Sequence, residues 1–272
     1  MNRLETIRVR HYGYKGRTVV VLHGGPGLPG SAAGLARALA GDFVVLEPLQ
    51  RRSGLIPMTV SQHVEDLAEV APKPAILVGC SWGAMLGLSY AARYPEDVSD
   101  LVLVGCGTYD ESSRELLVRT LRRRQGEREA RRIRDLQRRC ALEEDPVARD
   151  ALFAEIGSAL MRAESYDLFE EIESDADVVP ADLAGNLETW EDALRLQHEG
   201  VEPNSFTAIT ARVLMLHGVV DPHPGIETRD LLRRFIPQLE YVSLERCGHE
   251  PWRERYARGP FLEALRDWIL RT

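Results

Sequence analysis

The stretch Ala75-Ile76-Leu77-Val78-Gly79-Cys80-Ser81-Trp82-Gly83 decides the fold. Ala75–Val78 has the length and composition of a buried strand. The chain then turns through Gly79–Gly83, and a helix-forming segment runs from Ser81 to Arg93, stopped before Pro95. This is G-x-S-x-G between a strand and a helix. A serine at so tight a turn is held in strained backbone geometry, which projects its Oγ clear of the sheet. The glycines around it let neighbouring chains approach, and the first N–H groups of the helix lie near the nucleophile. The alternative is a glycine-rich turn in which Ser81 only caps the helix.

Working outward, apolar runs of strand length recur at Thr18–Leu22, Phe43–Leu46, Leu101–Val104, Val213–Leu216 and Leu239–Leu244. Helical stretches lie between them: Ser31–Ala40 with Ser31 as N-cap, Thr59–Val70, Gly225–Phe235 and Pro260–Leu270. Strands alternating with helices predict a mostly parallel sheet covered on both faces, an α/β class. The alternation breaks between Thr108 and Phe206, where the chain is charged and helical in period, with Asp145-Pro146 and Val179-Pro180 as punctuation. The expected organisation is a core domain of residues 1–107 and 207–272, with 108–206 inserted as a helical cap over the strand ends.

Three more loops follow strands. His23-Gly24-Gly25-Pro26-Gly27 follows Thr18–Leu22, and a glycine loop there can aim a bare N–H into a cavity. Acyl transfer needs two such donors for its oxyanion. The candidates are the N–H groups of Gly25 and Trp82, with Gly25-Pro26 a candidate cis bond that would fix the loop shape; an ordinary turn is the alternative. His23 reads as structural. His217-Gly218-Val219-Val220-Asp221 follows Val213–Leu216, and Cys247-Gly248-His249 follows Leu239–Leu244. The chain order Ser81, Asp221, His249 is that of one family of triads. In it His249 takes the proton of Ser81 and returns it to the leaving group, while Asp221 orients the imidazole.

HGGPG at His23–Gly27, GCSWG at Gly79–Gly83, HGVVD ending at Asp221 and CGHEPW at Cys247–Trp252 together resemble the α/β-hydrolase fold family, most closely its branch of prolyl aminopeptidases (proline iminopeptidases) and related esterases. The resemblance covers about two thirds of the chain, on both sides of the insertion. It implies an eight-stranded sheet, a Ser-His-Asp triad, an acyl-enzyme, no metal and no organic cofactor. Prolyl aminopeptidases carry a D-Q-R-G-like segment after the second of these strands. Here it reads Glu47-Pro48-Leu49-Gln50-Arg51-Arg52-Ser53-Gly54, in which Gln50 and Arg51 keep part of the pattern and the aspartate and the glycine are gone. Those peptidases hold a substrate ammonium on cap carboxylates. Glu170 and Glu188 are the candidates here, against the plainer reading that the acidic runs are solvated helix faces. Tyr166, Phe169, Trp190 and His223 are further candidates for the substrate pocket.

The bulk properties set limits on partners. The 272 residues are 44% hydrophobic and 28% charged, with net charge −8. They carry no run of the ~20 apolar residues a membrane span needs. The N-terminus MNRLETIRVR lacks the apolar segment of a secretion signal, so the expected location is the cytoplasm. The arginine-dense stretch Arg114–Arg139 is interleaved with Glu115, Glu127, Glu129 and Asp135, has no aromatics, and reads as a salt-laced exposed helix rather than a nucleic-acid site. Cys80, Cys106, Cys140 and Cys247 form no C-x-x-C pair and read as free thiols. The expected partner is a small molecule, with no nucleic acid and no membrane; nothing here fixes the oligomeric state. The expected chemistry is a serine hydrolase cleaving a small ester, thioester, lactone or amide. The alternatives are a prolyl aminopeptidase and a non-hydrolytic ligand-binding member of the fold.

Overall fold

The computed structural model describes residues 7–169 and 179–271. Seven strands form one sheet among them: β1 Val9–Tyr12, β2 Thr18–Leu22, β3 Val44–Pro48, β4 Ala75–Cys80, β5 Val98–Val104, β6 Arg212–Gly218 and β7 Glu240–Leu244. Their order is β1-β3-β2-β4-β5-β6-β7; β1 runs antiparallel to β3 and all other pairs are parallel. The resemblance implied eight strands, and the described residues make seven. Sequence reading missed β1, because an edge strand buried on neither face carries no apolar run.

Alternate residues of the central strands bury opposite faces. Val20, Leu22, Leu77, Leu101, Leu103 and Met215 pack against helices α2 (Val60–Val70) and α3 (Trp82–Arg93). Val19, Val21, Val78, Val102, Val104 and Leu216 pack against α1 (Ala33–Leu39) and α8 (Arg258–Leu270). Each such side chain contributes about 1.5–3 kcal/mol on burial. Thr59, where the second helical stretch begins, caps α2 through its side chain, whereas the predicted N-cap Ser31 does not cap α1. That helix starts after Ala32, without a side-chain cap.

Between β5 and β6 the described residues form three α-helices, α4 (Glu111–Leu142), α5 (Pro146–Glu164) and α6 (Leu183–His198). Aspartates start all three, Asp110, Asp145 and Asp182 accepting N–H groups of the first turn. Pro146 stands where a missing N–H costs nothing. The helices hold a small apolar cluster of their own, with Leu136, Cys140 and Ile156 buried beside Phe153 and Leu160. α7 (Gly225–Leu232) links β6 to β7.

Register aligns the C-terminal ends of the strands. Leu22 pairs with Gly79, Cys80 with Val104, Val104 with Leu216, and Gly218 with Leu244. The loops carrying His23, Ser81, Asp221 and His249 therefore all leave one edge of the sheet.

Candidate active site

Ser81 has φ +53° and ψ −116° and makes no side-chain cap bond to α3. A non-glycine residue in such a conformation costs about 1–3 kcal/mol. The helix-cap alternative therefore fails: the strain is spent without any capping return. The turn closes because Gly83 has no side chain; a Cβ there would lie 2.3 Å from the carbonyl oxygen of Leu22. Gly24 lies against the serine, a Cβ built on it falling 3.3 Å from Ser81 Cβ.

His249 Nδ1 stands 2.8 Å from Asp221 Oδ2, and both side chains are buried. The carboxylate only accepts, so Nδ1 carries the hydrogen and Nε2 is left as the basic nitrogen. Burial alone would push the Asp221 carboxyl up, but His249, His223 and His217 around it hold it well below the usual carboxylate range. Burial likewise opposes a charge on His249; Asp221 outweighs that and raises the imidazole above its ordinary value. Gly105, at φ +54°, makes room for the ring: a Cβ there would meet His249 Nδ1 at 2.9 Å.

A cavity of about 300 Å³ joins these groups. Its floor holds Gly24, Gly25, Ser81 and His249; α5 and α6 supply Phe153, Ile156, Leu160, Glu164 and Trp190. Of the predicted pocket residues, Trp190 and His223 border it. Tyr166 and Phe169 do not. Tyr166 is 48% exposed and its N–H bonds to Glu254, while Phe169 lies under the guanidinium of Arg258. Glu188 points elsewhere as well, accepting the N–H of Met58 at the approach to α2, beside Asp192 on the N–H of Val60. Glu170 lies outside the described residues. The α5 face had a signal that sequence reading missed: Phe153, Ile156, Leu160 and Glu164 recur at helical spacing.

Glu254 was also missed, and Gln50, read as a remnant of the D-Q-R-G-like segment, had no role assigned to it. Gln50 bonds to both faces of the loop geometry: its N–H to His23 Nε2 (3.2 Å), its amide nitrogen to the His23 carbonyl (3.3 Å), and its amide oxygen to Trp82 Nε1 (3.0 Å). His23 is structural, as expected, and burial pushes its pKa down to about 4. The Gly25-Pro26 bond is cis and Gly25 has φ +116°. Glu254, fully buried, accepts the N–H groups of Tyr166 (2.7 Å), Asp167 (2.7 Å) and Gly248 (2.9 Å), tying the end of α5 to the histidine loop.

The arginine-dense stretch is paired along α4 and α5, as in Arg132–Glu155 at 3.0 Å and Arg138–Asp135 at 2.7 Å. Arg124 departs from the salt-laced pattern and donates to the carbonyl of Val220 at 2.6 Å. Cys80, Cys106, Cys140 and Cys247 are free and buried. Among the described residues, Asp221, His223 and His249 have potential metal-ligand atoms within 4.8 Å of one another. Both imidazoles already bond to the aspartate, so the arrangement is complete as a hydrogen-bond network.

The family model for the alpha/beta hydrolase fold matches residues 64–253. The chain belongs to the α/β hydrolase fold family. Among relatives of this chain, a probable proline iminopeptidase of Streptomyces coelicolor is 34% identical over 125 residues, 39% of this chain and 38% of that protein. A cis-3-alkyl-4-alkyloxetan-2-one decarboxylase of Shewanella oneidensis is 29% identical over 108 residues, 35% of this chain and 34% of that protein. The chain thus matches little more than a third of the length of either. The esterase of Exiguobacterium antarcticum superposes with a TM-score of 0.61 at 18% identity, over 97% of this chain and 95% of that one, a likeness of fold. No helix among the described residues is long and apolar enough to cross a membrane.

Proposed function

We propose that this α/β hydrolase is a serine hydrolase acting on small esters. The observation that carries the reading is Ser81, strained and uncapped, on the wall of a cavity that also holds His249, whose imidazole is fixed by a buried aspartate. Ser81 Oγ attacks the substrate carbonyl and gives its proton to His249 Nε2. The N–H groups of Gly25 and Trp82 receive the oxyanion; Trp82 opens α3, and the first N–H groups of a helix have no acceptor within it. His249 then protonates the leaving alcohol, and an acyl group remains on Ser81. Water attacks next, its proton passing to His249 and back to the serine as the acid departs.

The helices of residues 108–206 act as a cap. α5 and α6 roof the cavity, so substrate enters between cap and strand ends. Leu28, Phe153, Ile156, Leu160, Met161 and Trp190 make the wall mainly apolar, which fits an uncharged acyl chain of modest size.

A second reading, exopeptidase chemistry, is favoured by Glu164 and Glu250 on the same wall, where an ammonium would find negative charge. The test is a rate panel of p-nitrophenyl esters from acetate to octanoate beside prolyl and alanyl p-nitroanilides, with Ser81→Ala as blank. Ester turnover without anilide turnover is the expected result. Prolyl anilide turnover overturns the ester assignment in favour of the exopeptidase.

A further inference from the structure

Asp221 serves more than one imidazole. Its Oδ2 lies 2.8 Å from His249 Nδ1. Its Oδ1 lies 2.9 Å from both the backbone nitrogen and Nδ1 of His223. The two rings stack, with centroids 4.2 Å apart and planes 18° from parallel, and both border the cavity. A triad needs one imidazole on its aspartate, yet this sequence places a second two residues after it.

We propose that His223 is a positioning residue that sets the basicity of His249: its Nδ1–H holds Oδ1 of Asp221 while its ring backs His249, so two imidazoles share one carboxylate. The inference rests on the serine-hydrolase reading above. An acceptor that receives an extra hydrogen bond carries less free charge toward its other donor. With His223 in place, Asp221 supports the imidazolium of His249 less strongly, and His249 becomes free base at lower pH. Without that donor the carboxylate grips the proton of His249 harder.

Other charged and titratable groups face this cluster and stay unchanged in the comparison. His217 Nε2 from β6 stands 3.3 Å from Asp221 Oδ2 and 3.0 Å from the carbonyl of His223. Glu164 from α5 and Glu250 raise His249, and Tyr241 from β7 feels Asp221. Arg124 from α4 reaches the carbonyl of Val220, and Glu254 holds Gly248 beside the histidine. Burial keeps the Cys247 thiol neutral.

His223→Phe and His223→Leu remove the side-chain donor and leave the backbone N–H on Oδ1; the phenyl ring also keeps the stack. His223→Asn offers an amide N–H near the position of Nδ1. The readout is the rate of Ser81 labelling by a fluorophosphonate from the acid through the alkaline range. In that reaction the serine oxygen bonds to phosphorus, fluoride leaves, and the serine proton goes to His249, so the rate follows free-base imidazole. Thermal melts at each pH identify the folded variants, and His223→Leu supplies the comparison if the phenylalanine does not fold.

The acid limb of both donor-free variants is expected to move up by about half to one pH unit, so that below the wild-type limb their labelling slows about threefold to tenfold more than on the plateau. His223→Asn is expected to keep the wild-type limb. Limbs that coincide, with only the plateau lowered, overturn the proposal, as does an equal shift in the asparagine variant. Wild-type protein unlabelled at Ser81 at every pH overturns the serine-hydrolase reading instead.

Discussion

Ser81 holds a conformation that burial and hydrogen bonding around it have to sustain, its own N–H bonding to Val104 O at 2.8 Å. The serine, the aspartate and the histidine were legible in the sequence because each follows a strand recognisable by its apolar run. The role of Gln50 was not, since it acts by bridging a loop to a tryptophan and no spacing announces that. At this scale the pH dependence has a definite sign. His249 must be neutral to accept the serine proton, and Asp221 raises its pKa above the ordinary 6.5. Ester turnover should therefore rise with pH through a limb above that value; a pH profile of kcat/KM with its acid limb below it contradicts the arrangement. Gly83→Ala should leave no folded protein by thermal melt, because its Cβ meets backbone and no side-chain movement relieves it.

At the scale of elements, each strand but the half-exposed β1 was located by its apolar run, with ends displaced by up to three residues, as at β5, which starts at Val98 rather than Leu101. The contacts between the inserted helices and the sheet were not, because they run through side chains to backbone groups far away in sequence. Glu254 is the clearest case. Glu254→Ala leaves three backbone N–H groups of Tyr166, Asp167 and Gly248 without their acceptor. The expected loss is about 3 kcal/mol, or roughly 6–12 °C in Tm, with Glu254→Gln losing less. A calorimetric melt that leaves the alanine variant unchanged removes Glu254 from this role. Glu188, a candidate for a substrate ammonium, shows the same lesson: with Asp192 it accepts N–H groups at the start of α2.

At the scale of the whole molecule, a buried acid away from the cavity makes stability depend on pH. Glu202, after α6, accepts the hydroxyl of Ser89 at 2.6 Å, and burial pushes its carboxyl up from 4.5 to about 7. Its neutral form is favoured in the folded state. The stability it gives is therefore fully present below the unfolded value and lost as pH rises through the folded one. The loss is about 2–3 kcal/mol, or roughly 5–10 °C in Tm, between about pH 5 and pH 8. The Tm of Glu202→Gln should accordingly gain on that of the wild type over this range, and a constant gap contradicts the assignment. The composition and the sheet were enough to predict the α/β class for the molecule, but the substrate depends on the wall built by α5 and α6, which no motif encodes. The central claim is that Ser81 is the nucleophile, and the most direct measurement is the intact mass of protein treated with a fluorophosphonate, followed by peptide mapping. One adduct on Ser81 in the wild type, and none in a Ser81→Ala variant that melts as the wild type does, is the predicted result. An adduct on another residue, or one that survives in Ser81→Ala, contradicts it.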